Sequence, residues 1–249
     1  MLITHPTVSF PYTEGVHKLG RKVRNAMHKR HAKILLITSA GENEGKSTVA
    51  ANLALSIAEH GKKVLLIDLD MRKPSLNKIF GVEEENIDDI GQFLIGKGTG
   101  DNLIRLLDQE KLHVILNTKE YSRSTEMLSN GRLEKLFQYL REHFDYILID
   151  SSPMNIVADA EVIANYADAS MVVVREHASA ARAVNEVLDT LRDSHAKPIG
   201  CVLNDTHTGV TSALGGYQYG SDYGYRYGRG YGRYYGRYYG KYGKTTSTE

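Results

Sequence analysis

Six short apolar runs constrain this fold more than any other feature: "KILLIT" (33–38), "KVLLID" (63–68), "LHVILN" (112–117), "DYILID" (145–150), "SMVVVR" (170–175) and "PIGCVLN" (198–204). Continuous runs of Val, Ile and Leu suit strands covered on both faces, because a strand wetted on one face alternates polar and apolar positions. Between the runs lie segments of helical length at 46–60, 124–143, 158–166 and 179–194. Strands that alternate with helices predict a doubly wound α/β domain with a mainly parallel sheet. Residues 12–31, rich in Lys and Arg, predict a leading helix outside that sheet. The single cysteine, Cys201, excludes a disulfide framework, and its apolar surroundings predict a buried thiol. No run approaches the roughly 20 apolar residues that cross a bilayer, and the amino end lacks a leader pattern. The expected location is the cytoplasm.

Directly after the first run comes "SAGENEGKST", residues 39–48. Ala40 takes the first small position, four residues follow, and then come Gly45, Lys46 and Ser47, the spacing of a phosphate-binding P-loop. Backbone N–H groups of such a loop and of the helix after it converge on phosphate oxygens. Gly41, Glu42, Asn43, Glu44, Gly45, Lys46, Ser47 and Thr48 are therefore the expected nucleotide-binding residues. Lys46 is expected to reach the β- and γ-phosphates and Ser47 to offer its hydroxyl to Mg²⁺.

Further carboxylates end neighbouring strands. "LLIDLDMR" places Asp68 and Asp70 two residues apart, on one side of an extended segment, with Arg72 beyond, and "YILID" closes on Asp150. Ligands of open parallel sheets bind outside the carboxyl ends of the strands, so these acids are expected beside the phosphate loop. Phosphoryl transfer from ATP there needs a cation, a positioned phosphate and a carboxylate near the incoming hydroxyl. Asp68 is the candidate for activating the acceptor, and Asp68, Asp70 and Asp150 are the candidates for holding Mg²⁺ together with Ser47.

The carboxyl end follows different rules. Residues 217–249 hold 11 of the 16 tyrosines and six Lys/Arg against two acids, whereas the rest of the chain carries 25 Lys/Arg against 28 Asp/Glu. Gly at every second or third position, with no hydrophobic period, predicts a disordered, accessible segment. The expected division is thus 1–31 for the leading segment and helix, 32–205 for the P-loop domain and 206–249 for the tail.

Taken together, "EGKST", "LLIDLDMR" and "DYILIDSSP" resemble the deviant-Walker ATPases, and within them the bacterial (BY-type) tyrosine kinases of capsule and exopolysaccharide export. "DLDMRKPSLNKIFG", "IGQFLIG" and the terminal "IGCVLN" extend the likeness over roughly residues 12–205. The resemblance implies an ATP- and Mg²⁺-dependent autokinase, with Arg72 and Asn204 at the nucleotide. It further implies that Tyr217, Tyr219, Tyr223, Tyr225, Tyr227, Tyr231, Tyr234, Tyr235, Tyr238, Tyr239 and Tyr242 are phosphoacceptors presented to a neighbouring subunit. The family's Glu-x-x-Arg-x-x-Arg oligomer pattern maps onto "KLGRKVR": Arg21 and Arg24 fall in place, and Lys18 stands where the family has Glu. Implied partners are a homo-oligomer, a membrane polysaccharide co-polymerase that supplies an activating segment and holds the kinase at the membrane, and a protein-tyrosine phosphatase.

Two rival readings share parts of this pattern. A partitioning or division-site ATPase switch shares the Walker motifs, but it carries a signature lysine where this chain has Gly41, and it leaves the tyrosines unexplained. An RNA-binding role for the Arg/Gly/Tyr tract is opposed by the small basic excess and the acidic body, so no nucleic-acid partner is expected.

Overall fold

The computed structural model describes residues 1–206 apart from 99, 101 and 108–110. The Tyr-rich tail expected over 206–249 lies, beyond Thr206, outside the described residues, and all eleven candidate acceptor tyrosines lie there with it.

Among the described residues seven strands form one sheet: β1 (Ile34–Ser39), β2 (Val64–Leu69), β3 (Arg105–Leu107), β4 (Leu112–Ile115), β5 (Tyr146–Ser151), β6 (Ala169–Arg175) and β7 (Pro198–Asn204). Their order is β3-β4-β2-β5-β1-β6-β7, and every neighbouring pair is parallel except β3 with β4. All six residues of β1 and of β2 are buried, as continuous apolar runs require in a sheet covered on both faces. Side chains alternate between two cores. Ile34, Leu36, Leu65, Ile67, Ile147 and Ile149 point to one face, and Leu35, Ile37, Val64, Leu66 and Leu148 to the other. Each such side chain, fully removed from water, contributes about 1.5–3 kcal/mol.

The second face is covered by α1 (Phe10–Lys29) and α2 (Lys46–Ala58). Val23 and Met27 of α1 pack into the same core as Leu53 and Ile57 of α2. Gly20 permits the close approach, because a β-carbon there would meet Ser56. The first face is covered by α6 (Arg132–His143), α7 (Asp159–Ala164) and α8 (Ala181–Asp193), through Leu133, Leu140, Ile163, Val187 and Leu191. Three shorter helices join strands to these layers: α3 (Leu76–Phe80), α4 (Ile90–Leu94) and α5 (Ser124–Leu128).

The structure corrects two expectations and adds a set of short elements. The helix expected over 124–143 is two helices, because Gly131 turns at φ 74° to start α6 while Asn130 donates to the Leu94 carbonyl at 2.6 Å and accepts from the Arg132 amide. Cys201 is exposed rather than buried, since β7 is the edge strand and its second face is open. The apolar run there marks a strand covered on one side only. The third difference is the set of short elements α3, α4 and β3, none longer than five residues, which offer too few positions for a period to show.

Candidate active site

The carboxyl ends of β1, β2 and β5 lie side by side, because β5 pairs with both of the others. Asp150 stands opposite Ile37 on one side and Asp68 on the other. Parallel pairing thus brings two acids 82 residues apart in sequence onto one edge, directly under the loop that leaves β1.

That loop turns into α2 through two residues at positive φ, Asn43 (58°) and Gly45 (85°). Gly45 is the N-cap of α2 and supplies no side-chain cap, so the first amides of the helix keep their donors for an external anion. Above them opens a cleft of about 610 Å³. Glu42, Asn43, Gly45, Lys46, Ser47 and Thr48 line one wall, Asp70, Arg72, Lys73 and Pro74 another, and Ser152, Pro153 and Ile156 a third. A space of this size, with fixed N–H donors and a lysine at its base, suits a small polyanion.

The three predicted carboxylates occupy different depths. Asp70 lines the cleft, and its Oδ1 accepts from the amides of Arg72 (3.3 Å) and Lys73 (3.0 Å), which shapes the loop after β2. Asp68 is fully buried and does not line the cleft. Its Oδ1 accepts from the Asp70 amide, and its Oδ2 from the amides of Ser75 and Leu76, each at 3.1 Å. Asp68 therefore anchors the 70–76 loop, and the carboxylate facing the cleft is Asp70. Burial, and then the proximity of Asp150, hold the Asp68 carboxyl well above the usual range.

Asp150 is fully buried with neither carboxylate oxygen hydrogen-bonded. Burial pushes its pKa up to about 7. The Lys46 ammonium and the Ser47 hydroxyl pull the other way without completing a hydrogen bond to it. Among the buried side chains of the described residues left without a partner, Asp150 is the one carboxylate, with both of its oxygens orphaned, and such an ionisable acceptor pair fits a hard cation and its water shell. Among the described residues no three His, Cys, Asp or Glu side chains form a ready-made metal cage. Magnesium does not demand one, because it is characteristically held by one or two protein carboxylates, a hydroxyl, water and substrate phosphates. Ser47, Asp70 and Asp150 fit that donor set.

Other expected residues fall less directly on the cleft. Arg72 lines it, but its Nε also faces fully buried Asp159 at 3.4 Å, and Asp159 accepts from Thr125 Oγ1 at 2.5 Å. Asn204 does not line the cleft, and its amide donates to the Glu44 carbonyl at 2.9 Å. Glu44 is fully buried, and its carboxylate points into the protein. Gly41 is likewise set back from the cleft, its amide held by Glu44. Arg21 is exposed and Arg24 half-buried on α1, the latter with an unpartnered Nε, and neither lines the cleft.

Two further contacts carry no signature in the sequence. Lys73 Nζ meets Glu42 at 2.6 Å, joining two walls of the cleft across its rim. Asp89 gathers the Tyr121 hydroxyl (2.7 Å), the Gln92 amide and the amide and hydroxyl of Thr118, and the Tyr121 amide in turn donates to the Met71 carbonyl at 2.8 Å. No local motif marks either contact, because each joins segments about 30 residues apart.

A family model for the AAA domain matches residues 32–200. The chain is 31% identical over 188 residues to the tyrosine-protein kinase YwqD of Bacillus subtilis, covering 76% of this chain and 78% of that protein. It is 30% identical over 202 residues to a putative tyrosine-protein kinase in the cps region of Klebsiella pneumoniae, covering 81% of this chain but spanning only 28% of that longer protein. Among solved structures it superimposes on the kinase domain of the Escherichia coli tyrosine kinase ETK with a TM-score of 0.77 at 27% identity, covering 84% of this chain and 80% of that one. It also shares the fold of the septum site-determining protein MinD of Pyrococcus horikoshii, solved with Mg-ADP, at a TM-score of 0.60 and 23% identity over 69% of each chain.

Proposed function

Because this chain belongs to the bacterial tyrosine-protein kinases built on an AAA-type P-loop domain, we propose that it transfers the γ-phosphoryl group of ATP to tyrosine hydroxyls of its own residues 217–242, from one copy to another. One observation carries this reading. The cleft is lined by the loop residues Lys46 and Ser47 and by Asp70, and an unpartnered Asp150, which does not itself line the cleft, is buried opposite Asp68 on the adjoining strand, the set from which in-line transfer can be built.

In this reading the loop amides and Lys46 hold the β- and γ-phosphates and offset the charge that builds on them. Mg²⁺, held by Ser47 and Asp150, would supply further neutralisation of that charge. The tyrosine oxygen attacks γ-phosphorus, a new O–P bond forms, the bond to the β,γ-bridging oxygen breaks, and ADP leaves with that electron pair. The hydroxyl proton passes to a carboxylate. Asp70 takes that role in place of Asp68, because Asp68 is enclosed by three backbone amides and Asp70 faces the incoming group. A tyrosine hydroxyl with a pKa near 10 is protonated at neutral pH and gains from such an acceptor.

Each phosphate adds about −1.5 to −2 charges, so two or three reverse the tail's excess of four positive charges. This change of sign is the proposed output, and it weakens association between copies. The proposed setting is capsular or exopolysaccharide synthesis, with Arg21 and Arg24 at subunit contacts, a membrane co-polymerase as activator and a tyrosine phosphatase that resets the tail. Among the described residues no helix is long and apolar enough to cross a membrane. Attachment at a membrane therefore falls to the partner in this scheme.

Mass spectrometry after incubation with ATP and Mg²⁺ tests the proposal. Phosphotyrosine within 217–242 of the native protein, and none in Lys46→Met, is the expected result. ATP hydrolysis without phosphotyrosine, with or without a candidate activating segment, refutes it and favours a nucleotide switch.

A further inference from the structure

A buried carboxylate inside an anion-binding loop is electrostatically unfavourable for that loop's ligand, yet Glu44 is fully buried there. Its Oε1 accepts from the Gly41 amide and the Ser179 hydroxyl, each at 2.6 Å, and its Oε2 from the Arg175 amide at 3.1 Å. All three donors come from the protein, and one of them, Gly41, belongs to the phosphate loop itself. The Glu44 backbone carbonyl then accepts from the Asn204 amide at 2.9 Å. Gly45 lies flush against that amide, where a β-carbon would collide with it.

The same residues reach the end of β7. The Asn204 carbonyl accepts from the Glu176 amide at 3.1 Å, and the Arg175 guanidinium holds Asp205 through two nitrogens, at 2.7 and 2.8 Å. Asp205 sits at φ 53°, in the left-handed region that aspartate tolerates better than most non-glycine residues. A ring, closed through the chain at 175–176 and 204–205, thus runs from the Glu44 carboxylate through Arg175 to Asp205 and Asn204 and back to the Glu44 carbonyl, with Gly41 and Ser179 attached at the carboxylate. Residues 204–206 are the last described residues before the tyrosine-rich segment.

We propose that this ring is a brace coupling nucleotide in the phosphate loop to order at residues 204–206, where the acceptor segment departs. Glu44, Asn204, Arg175 and Asp205 are positioning residues in this scheme, and Asn204 acts on the loop backbone. The proposal rests on the reading of the loop as a nucleotide site. Coupling of this kind is reciprocal: whatever nucleotide does to order at 204–206, restraint of 204–206 does to nucleotide affinity by the same factor. The ring also bears on Gly41. A β-carbon there would stand 3.3 Å from Glu44 Oε1 and 3.4 Å from Ser179 Oγ, so a longer side chain at position 41 competes with the brace.

Hydrogen exchange of the full-length protein, with and without ADP and Mg²⁺, tests the coupling directly. The amides of 204–206 are expected to exchange at least about fivefold more slowly with nucleotide bound. ADP affinity, measured by calorimetry, is expected to weaken about three- to tenfold in Asp205→Ala, which touches nothing lining the cleft, and about tenfold in Asn204→Ala, the size expected for loss of one well-placed hydrogen bond. In Asp205→Ala the thermal midpoint is expected to stay near the native one, and in both variants KM for ATP is expected to rise with little change in kcat. Unchanged exchange at 204–206 while the loop amides gain protection, or native ADP affinity in Asp205→Ala, overturns the brace and leaves the nucleotide site standing. Loop amides that ADP leaves unprotected overturn the nucleotide reading itself, and the brace with it.

Discussion

Replacing Asp150 with asparagine is expected to stabilise the nucleotide-free protein at pH 8 and to do the opposite at pH 5. The native carboxyl titrates at about 7 against 3.8 unfolded, and that value already includes the attraction of Lys46. Three pKa units at 1.36 kcal/mol each make the ionised form about 4 kcal/mol less favourable in the fold. The native state holds its proton between about pH 4 and 7 while the unfolded chain releases it. Stability from this group is therefore greatest below pH 4 and falls as pH rises to 7. Asparagine removes the charge but leaves a buried amide without partners, at about 1–3 kcal/mol. The net gain at pH 8 is about 1–3 kcal/mol, which for a domain of this size raises Tm by roughly 2–10 °C. At pH 5 the native carboxyl is already neutral, most of the advantage is gone, and the unpaired amide dominates. Differential scanning calorimetry of both proteins at pH 5 and 8 without divalent cation measures the contrast. Adding ADP and Mg²⁺ at pH 8 is expected to raise the native Tm and to move the variant little, because a ligand stabilises only what it binds. A variant that melts below the native protein at both pH values, by the same margin, would show that Asp150 is not an uncompensated charge and would remove the argument for a cation beside it.

Gly45→Ala should keep the fold and lose nucleotide. The φ of 85° strains alanine by roughly 1–2 kcal/mol and its methyl displaces the Asn204 amide, which calorimetric titration with ADP and Mg²⁺ would register alongside an unchanged circular dichroism spectrum. Asp168→Asn should destabilise at pH 7 by about 1–3 kcal/mol in urea unfolding, because the carboxylate takes two guanidinium contacts from Arg141 (2.7 and 3.0 Å) and the amides of Lys33 and Ile34. Partial burial pushes the Asp168 carboxyl up, but those donors outweigh it and hold it below the usual range. The stability it contributes is therefore present above about pH 4 and lost as pH falls further, so the variant and native curves converge in acid. Tyr121→Phe should destabilise by about 1.5–3 kcal/mol, since it leaves Asp89 short of one donor and Gln92 short of one acceptor; an unchanged urea midpoint would dismiss the network as incidental.

The sheet was legible because its strands are covered on both faces, so that β1, β2, β5 and β6 each appear as an unbroken apolar run. The phosphate loop was legible because its geometry is local: a glycine at positive φ, a lysine and a serine within ten residues fix it without help from elsewhere. Contacts set by tertiary placement were not. Glu44 reads as one more polar loop residue, and only the pairing of β6 beside β1 shows that its carboxylate faces inward to Ser179 and Arg175. Asp68 and Asp70 share one side of an extended strand, which the two-residue spacing conveys. Their different depths follow from the turn after Leu69, where the Asp70 amide folds back onto Asp68, and spacing carries no sign of that turn. The open face of β7 was hidden for a related reason, because a strand's place in the sheet order decides whether its second side is covered.

The charges around the cleft also constrain what can enter it. Asp68, Asp70, Asp150 and Glu44 are all buried, Glu44 in the phosphate loop and the other three at or just beyond the carboxyl ends of β2 and β5, and each is an acid where a polyanion is to bind. Asp68 and Glu44 each accept from three protein donors, whereas Asp150 has no donor at all. One lysine and the first amides of α2 attract a triphosphate, but each charge on that triphosphate is repelled by an ionised Asp150 at close range in a poorly hydrated interior, where such interactions are strong. A divalent cation between the two reverses the sign of both contacts at once, so the nucleotide and the cation are expected to bind as a unit. Since the cation needs Asp150 deprotonated, binding should release a proton below pH 7 and tighten as pH rises toward that value. ADP titrated without Mg²⁺ should accordingly bind weakly at pH 8, where Asp150 is ionised, and better at pH 6, where it is neutral, the reverse of the order expected with Mg²⁺ present. Equal pH dependence with and without the cation would place the electrostatic centre of this site somewhere other than Asp150.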